Sequence, residues 1–380
     1  MKSVIIGPVY PYRGGIAHYT TMIARSLERA HHQVHVISFK RQYPQWLYPG
    51  RSDRDPSREP LRVEAQYLLD PLRPWTWWRT ARFANGLKPD LAVLQWWTTF
   101  WAPSFAVLAY LLRRSGVPVL FLVHNVFPHE KHRWDPLLAR LALRQASSHV
   151  VQSRKEEARL RSIVPDASAV ICPHPAYGMF TSQRVSNLEA RKRLALPKDL
   201  GVLLFFGIVR PYKGVKDLVQ AVALLRDWGK SVYLVVAGEM WEDKASYEQM
   251  IEHLNLSELV RLEDRYIPNE EVALFFSAAD LFVAPYTGGT QSGVMQIAIA
   301  FGLPVVATDI IAAEVTTPIG GYLGRVPPHA PEALAREIQS ALEDPTVRQI
   351  PLADGSQSAL DDWQRLIAIL EGAKRASGSA

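Results

Sequence analysis

The sequence predicts an α/β protein built from two parallel-sheet domains, and three observations predict it. Its 380 residues exceed what one hydrophobic core ordinarily organises. Short apolar runs alternate with segments of helical period. That alternation restarts once, after the polar, charged stretch 181–199, so strands and helices fall in two successive blocks.

In the first block, Ser3-Val4-Ile5-Ile6 is an apolar run that stops at Gly7 and Pro8, as a buried parallel strand does before its loop. A loop with Gly14-Gly15 follows. Across 16–30 the residues Ile16, Tyr19, Met22, Ile23 and Leu27 recur at helical spacing, and Val34-His35-Val36-Ile37 reads as the next strand. Residues 42–60, rich in Pro, Arg and Asp without a period, predict a long surface loop. A strand at 91–94, a helix around 105–114, a strand at 117–123 ending at His124, and a short strand at Val150-Val151 complete the block.

The second block opens with a strand at 202–206, Gly207, and a helix over 215–227. Further strands are read at 233–237, 260–262, 281–284 and 305–307, with helices around 244–254, 270–278 and 294–301 between them. A last helix spans 360–370, and the small, polar tail after Gly372 is expected to fray. The expected division is therefore 1–180, 181–358, and 359–380 as a closing helix and tail.

Composition narrows the class. With 48% hydrophobic and 21% charged residues the chain is an ordinary folded one, not a disordered one. Its single cysteine, Cys172, excludes an intramolecular disulfide and a multi-cysteine metal site, and fits a reducing compartment. No apolar stretch approaches the roughly 18 residues of a membrane span, and Met1-Lys2-Ser3 runs straight into a strand without the apolar core of a secretion signal. A cytoplasmic protein is expected, soluble or peripheral at the inner membrane face.

The net charge of +6 hides an asymmetry: residues 1–180 hold 24 Lys+Arg against 12 Asp+Glu, and the rest 19 against 25. The basic half also holds eight of the eleven tryptophans, clustered in Arg73-Pro74-Trp75-Thr76-Trp77-Trp78-Arg79 and from Trp96-Trp97 to Trp101. Tryptophan interleaved with arginine suits an anionic membrane surface, by charge attraction and shallow burial of amphipathic rings. It also suits an ordinary core beneath a solvated basic face. Nucleic acid is not expected as a partner, because no zinc-finger spacing, RNA-recognition motif or long Lys/Arg run accompanies the charge.

Four loops carry candidate chemistry. Gly14-Gly15 lies between the first strand and the first helix, where backbone amides and a helix start make an anion site, although a plain tight turn uses glycine the same way. Gly207-Ile208-Val209-Arg210-Pro211-Tyr212-Lys213-Gly214 sets two cations three residues apart just after a strand, where a guanidinium fork and an ammonium hold a diphosphate and stabilise its charge as it leaves a sugar. Pro285-Tyr286-Thr287-Gly288-Gly289-Thr290-Gln291-Ser292-Gly293-Val294 packs small hydrogen-bonding residues against the next helix and can present amides and hydroxyls to a phosphate or sugar. His124, followed by Asn125, Pro128, His129 and Glu130, projects from the carboxyl end of a buried strand. Three ligands do not fall at a zinc spacing there, so no metal is expected. His18, His174 and Glu239 have the same strand- or helix-edge placement.

These motifs, in this order and at these separations, resemble the retaining glycosyltransferases of the two-domain B-type (GT-B) fold, in particular glycosyltransferase family 4. The likeness spans nearly the whole chain and rests also on Gly238-Glu239, Ala279-Asp280-Leu281-Phe282-Val283-Ala284-Pro285-Tyr286 and Gly302-Leu303-Pro304-Val305-Val306-Ala307-Thr308. It implies two Rossmann-like domains with parallel sheets facing across a cleft, the first binding the acceptor and the second the nucleotide sugar. It also implies donor-diphosphate contacts at Arg210 and Lys213, with His124 positioning the sugar for same-face attack and retention. These three are the catalytic expectations. The donor-binding expectations are Gly14, Gly15, Gly207, Gly238, Glu239, Ile267, Tyr286, Thr290, Gln291, Ser292, Gly293, Val294 and Gln296. No cofactor beyond the nucleotide-diphosphate sugar is expected.

Two departures accompany the likeness. The family's pair of glutamates, with seven residues between them, falls on Gly289 and Ile297, with Gln291 and Gln296 as nearby neutral polar groups. The family arginine often follows the glycine matching Gly207 at once, whereas Arg210 comes three residues later. The sequence therefore leaves three functions open: a glycosyltransferase in polysaccharide or glycoconjugate assembly with a saccharide or lipid-linked acceptor, an epimerase of the same fold, and a catalytically silent sugar-nucleotide-binding scaffold.

Overall fold

A computed structural model describes the chain except residues 129–131, 290, 314, 316–321, 345–355 and 378–380, and the side chains of 356–360, 376 and 377. The chain divides into two compact units, Met1–Asp55, Pro60–Pro173 and Asp361–Ala380 forming one, Pro56–Glu59 and His174–Leu360 the other.

The first unit begins with β1 (Lys2–Ile6), α1 (Gly15–Arg29) and β2 (Gln33–Phe39), followed by β3 (Ala65–Leu69), α2 (Pro74–Gly86), β4 (Leu91–Trp96), α3 (Ala102–Arg114) and β5 (Val119–Val123). Next come α4 (Asp135–Leu143), β6 (Ser148–Val151), α5 (Arg154–Ile163) and β7 (Ala169–Ile171). The strands pair in parallel in the order β3-β2-β1-β4-β5-β6-β7. Ile5 aligns with Val36 on one side and Val93 on the other, so the strand order reverses between β1 and β4. Every residue of β5 is buried. Such a strand, covered on both faces, reads as an unbroken apolar run rather than an alternation, which is why 117–123 was so legible. Ala81 and Ala84 of α2, Phe105 and Leu108 of α3, Leu143 of α4 and Leu160 of α5 pack with Ile6, Leu94 and Phe121 into the core.

The second unit holds α6 (Asn187–Leu194), β8 (Gly201–Phe206), α7 (Val215–Asp227), β9 (Val232–Ala237), α8 (Lys244–His253), β10 (Val260–Glu263) and α9 (Asn269–Ala278). It continues with β11 (Leu281–Ala284), α10 (Gly293–Ala300), β12 (Val305–Thr308), α11 (Asp309–Ala312), β13 (Leu323–Val326) and α12 (Pro331–Glu343). Its sheet is also parallel, in the order β10-β9-β8-β11-β12-β13, and reverses between β8 and β11. Helix α7 packs on α12, and α6 on α9. The closing helix α13 (Ser356–Ser377) belongs from Asp361 onward to the first unit, where Trp363 packs 5.1 Å from the Tyr19 ring and Lys374 pairs with Asp90 at 3.0 Å.

The charged stretch 181–199 is not a bare break between blocks. It carries α6, whose buried Arg191 donates to the carbonyls of Ala278, Pro197, Lys198 and Leu200 and pairs with Asp280, so its charge is absorbed by backbone oxygens inside the unit. The changeover accordingly falls at Pro173/His174, and the last helix is a part of the first unit. Within the predicted loop 42–60, Pro56–Glu59 group with the second unit: the Ser57 hydroxyl accepts from the Asn269 amide at 2.9 Å, and Glu270 accepts from the Arg58 amide at 3.1 Å. The tryptophan clusters divide. Trp96 and Trp101 lie in the core, Trp101 4.3 Å from the Phe39 ring, whereas Trp75 and Trp78 on α2 stand exposed.

Candidate active site

The site is built at the β8/β11 reversal of the second sheet, where the loops after two adjacent strands part. The loop after β8 ends in a single tight turn, Pro211–Lys213, closed by Gly214 at φ +66. A Cβ on Gly214 would lie 1.9 Å from the Pro285 carbonyl oxygen, so only glycine lets the two loops approach this closely. The Tyr212 carbonyl accepts from the amides of Thr287, at 2.8 Å, and Gly288, at 3.3 Å, which ties the loop after β11 to it.

That clamp places Lys213. Its ammonium donates to the Tyr286 hydroxyl at 2.5 Å and lies 4.0 Å from the centre of the same ring. The Tyr286 hydroxyl is 3.0 Å from the Ser292 hydroxyl, which accepts from the Met295 amide and caps α10. Among the described residues no carboxylate pairs with Lys213, so its charge is held by a neutral oxygen and an aromatic face and is not cancelled. Burial lowers the pKa of Lys213 below the usual lysine range; Tyr212 opposes this and Arg210 adds to it. Burial likewise pushes Tyr286 up to about 12, so it stays a phenol. Arg210 sits with its guanidinium carbon 5.1 Å from the Trp241 ring and 5.7 Å from that of Tyr212.

The remaining predicted residues of this unit gather around the same edge. Gly207 and Gly238 face each other at the ends of β8 and β9; a Cβ on Gly238 would fall 2.1 Å from the Gly207 carbonyl oxygen, so close strand approach explains its identity. A Cβ on Gly207 would touch Val294 at 3.2 Å. Glu239 is buried just beyond Gly238, and its carbonyl accepts from the Val209 amide at 3.0 Å. Gly293 opens α10 against the buried ring of His174, whose pKa burial lowers to about 4 against the opposing pull of the Pro175 carbonyl. Gln296, one turn into α10, is buried, and its Oε1 has no hydrogen-bond partner among the described residues. Ile267 presents a buried apolar side chain, which leaves it only its backbone for polar contact. Gln291 and Ser292 precede α10; Thr290 lies outside the described residues.

Gly14, Gly15 and His124 form a separate group at the carboxyl edge of the first sheet. Gly14 takes φ +102 at the start of α1, and a Cβ on either glycine meets nothing within 4 Å. His124 is buried, with Nε2 2.7 Å from Gln95 Oε1 and Nδ1 3.0 Å from Gln152 Nε2, and the Tyr19 ring meets it edge-on at 4.7 Å. An amide nitrogen only donates and an amide oxygen only accepts, so these assigned orientations fix the neutral tautomer with the proton on Nε2. His18 is half-buried, and the loss of solvent around its ring lowers its pKa against the pull of Asp55. Among the described residues no cluster of three His, Cys, Asp or Glu could hold a metal; His129 and Glu130 lie outside them.

Sequence reasoning gave Tyr212 and Gly214 no role within their loop, and did not find Trp241, Gln95 and Gln152. Gln95 had a signal of the same kind as His124, a polar residue near the end of a buried strand. The Lys213–Tyr286 contact, across 73 positions, had none.

Two doubly wound parallel sheets, with a cationic loop and a capped helix at the reversal of the second, define an α/β fold with an anion site at a strand-order reversal. Residues 14–174 match a family model for a glycosyl transferase 4-like domain, and residues 201–344 one for glycosyl transferases group 1. The chain is 30% identical over 260 residues to D-inositol 3-phosphate glycosyltransferase 1 of Catenulispora acidiphila, covering 62% of this chain and 61% of that one. It is 27% identical over 292 residues to the D-inositol 3-phosphate glycosyltransferase of Thermomonospora curvata, covering 69% and 68%. The chain spans about half to two thirds of the length of the curated relatives it matches. Among solved structures, HepE of Anabaena in complex with UDP superposes with TM-score 0.71 at 18% identity over the whole of both chains. Sucrose-phosphate synthase of Thermosynechococcus elongatus gives 0.67 at 19%, over 100% of this chain and 98% of that one. Each half of the chain thus matches a glycosyltransferase family model, and the whole chain has the two-domain fold of these solved structures.

Proposed function

We propose that the protein is a family 4 glycosyltransferase that moves a sugar from a nucleotide-diphosphate donor to an acceptor hydroxyl with retention of configuration. The observation that carries this reading is the uncancelled charge of Lys213 at the β8/β11 reversal, tied through Tyr286 and Ser292 to the start of α10. A diphosphate placed there meets an ammonium, the Arg210 guanidinium and the positive end of a helix, all fixed before it arrives. The charge on the departing nucleoside diphosphate then grows against a preorganised cation pair, and holding donor and acceptor in register supplies the remaining acceleration. No metal is required of this reading, since the two cations neutralise the leaving group.

The unpartnered Gln296 oxygen supports a sugar beside the diphosphate. A buried acceptor without a donor costs about 1–3 kcal/mol, and a sugar hydroxyl removes that cost. It stands one residue before Ile297, the position that carries a glutamate in the family, so a neutral amide takes over a contact usually made by a carboxylate. The UDP and UDP-glucose complexes of HepE suggest a UDP-sugar donor. The acceptor we propose is a saccharide or a lipid-linked saccharide in polysaccharide or glycoconjugate assembly. His124, held as a neutral imidazole, positions the sugar and is no nucleophile.

Incubation with UDP-, GDP- and dTDP-sugars without acceptor tests the reading. Slow release of nucleoside diphosphate, lost in Lys213→Ala, is the expected result. An isomerised donor would make the protein an epimerase. Donor binding without turnover would make it a silent scaffold, the reading that Gly289 and Ile297 in place of two glutamates favours.

A further inference from the structure

We infer that the outer face of the α2–α3–α4 layer in the first unit is a docking surface for an anionic lipid bilayer. The three helices lie side by side, α3 packed against both of its neighbours. Their inner faces fill the core. Their outer faces expose large amphipathic and apolar groups: Trp75 is 60% exposed, Trp78 53%, Tyr110 48% and Leu137 72%, with Trp134 at the start of α4 60% exposed. Residues 75, 78 and 82 on α2, and 107, 110 and 114 on α3, repeat at three or four, so each helix carries one continuous outward stripe.

Charge identifies the occupant. Arg79, Arg82, Arg113, Arg114 and Arg140 are exposed on these helices, and the three helices contain a single carboxylate, Asp135. That one is buried, accepting from the Thr99 hydroxyl at 2.5 Å and the His132 amide at 2.6 Å, with the His132 ring 3.8 Å away, so it is turned to its own loop and not to these arginines. Helix α12 of the second unit shows what a water-facing helix looks like in this chain: Glu332 and Arg336 pair one turn apart on its exposed side. Among the described residues of these three helices, the exposed charges are all cations. Its guanidinium groups lie near the rings, Arg82 5.5 Å from the Trp78 centre and Arg114 6.0 Å from that of Tyr110, so ring and charge would meet the headgroup region together. A broad layer of three helices with exposed leucine among tryptophan and arginine fits a bilayer better than a nucleic-acid groove. No helix among the described residues is long and apolar enough to cross a membrane, so contact is from the side.

The inference stands apart from the transferase reading, because its readout involves no turnover. Flotation of the full chain with phosphatidylcholine vesicles containing phosphatidylglycerol, against phosphatidylcholine alone, tests it. Binding to the anionic vesicles only, weakened by salt, is expected. The pair Arg79→Gln and Arg82→Gln should lower the partition coefficient about 25-fold, at about fivefold for each surface cation. The pair Trp75→Phe and Trp78→Phe should remove part of the tryptophan quenching by brominated lipid. Arg336→Gln, the same change on α12, should leave partitioning unchanged, and equal thermal midpoints would show that all variants fold. The inference is overturned if anionic vesicles do not bind at low salt, if Arg336→Gln weakens binding as much as the α2 pair, or if single-stranded RNA or polyglutamate displaces the vesicles at lower concentration than lipid does.

Discussion

The two sheets of this protein share a strand order and a reversal, and they differ in what stands at it. In the second unit the reversal carries Arg210, the capped start of α10 and Lys213, whose ammonium rests on a neutral hydroxyl and an aromatic ring. In the first unit the carboxyl edge carries Gln95, His124 and Gln152, two amides joined by hydrogen bonds through an imidazole. The same backbone architecture thus yields an edge suited to an anion and an edge suited to hydroxyl groups. Topology says where a ligand can sit, and the side chains say which.

The sharpest way to break this contrast is to remove the charge from one edge. Lys213→Ala should lower turnover of a nucleotide-diphosphate sugar by about 10²–10³-fold, the usual loss for one preorganised group facing developing charge. Its thermal midpoint should stay near that of the parent, since a partly buried lysine without a carboxylate partner adds little to stability. His124→Gln, at the neutral edge, should cost less in turnover and leave diphosphate affinity, measured with UDP by calorimetry, within about twofold. Equal losses of UDP affinity in both variants would erase the distinction.

Glycines sharpen the comparison through stability. Gly214→Ala forces a Cβ to within 1.9 Å of the Pro285 oxygen at φ +66, so the loops must separate; a loss of about 3 kcal/mol is expected. Gly15→Ala meets nothing within 4 Å and should change stability by less than about 0.5 kcal/mol. Urea midpoints of the two variants test the pair, and a comparable loss in both would mean that loop clamping is not special to the second unit.

A pH difference follows from His174, which packs beneath Gly293. Its folded pKa is depressed to about 4 by burial, against about 6.5 when unfolded. The unfolded chain therefore takes up a proton that the folded one refuses, and the stability tied to neutral His174 is complete above pH 6.5 and lost as pH falls toward 4. The gap is worth roughly 3 kcal/mol once pH lies below both values. His174→Phe should flatten the drop in apparent urea midpoint between about pH 7 and pH 4.5; an unchanged drop would place the acid sensitivity elsewhere.

What was legible in the sequence follows from how each feature is encoded. Strands β5, β8 and β11 are buried on both faces, and their unbroken apolar runs announce them. Helix α7 shows its stripe of Val215, Leu218, Val219 and Val222 and was found with its bounds. Helix α2 was missed because its inner face is Thr76, Thr80, Ala81 and Ala84, small residues that leave no apolar period, while its large residues point outward. Edge strand β3 was missed because only Leu69 of its five residues is buried. At the site, Arg210 and Lys213 were legible because charge after a strand is a local signal. Their support was not: Tyr286 reaches Lys213, and Gly214 yields to Pro285, only once β8 and β11 are neighbours, and adjacency in a sheet is a non-local property.

The smallest expected effect is the one that tests how the cation is held. Tyr286→Phe keeps the ring on which the ammonium rests and removes the oxygen that joins Lys213 to Ser292. Loss of one neutral hydrogen bond should cost about 1 kcal/mol of stability. If Tyr286 only packs, nothing further changes. If it positions the ammonium, kcat should fall about tenfold while donor KM moves little, because a displaced cation still attracts a diphosphate but no longer meets the charge that grows in the transition state. Ser292→Ala, which leaves Tyr286 its bond to Lys213 but uncaps α10, should instead raise donor KM, since a frayed helix start weakens the ground-state anion site. Opposite splits of kcat and KM in the two variants would assign the ammonium and the helix separate tasks at one reversal, and identical splits would merge them.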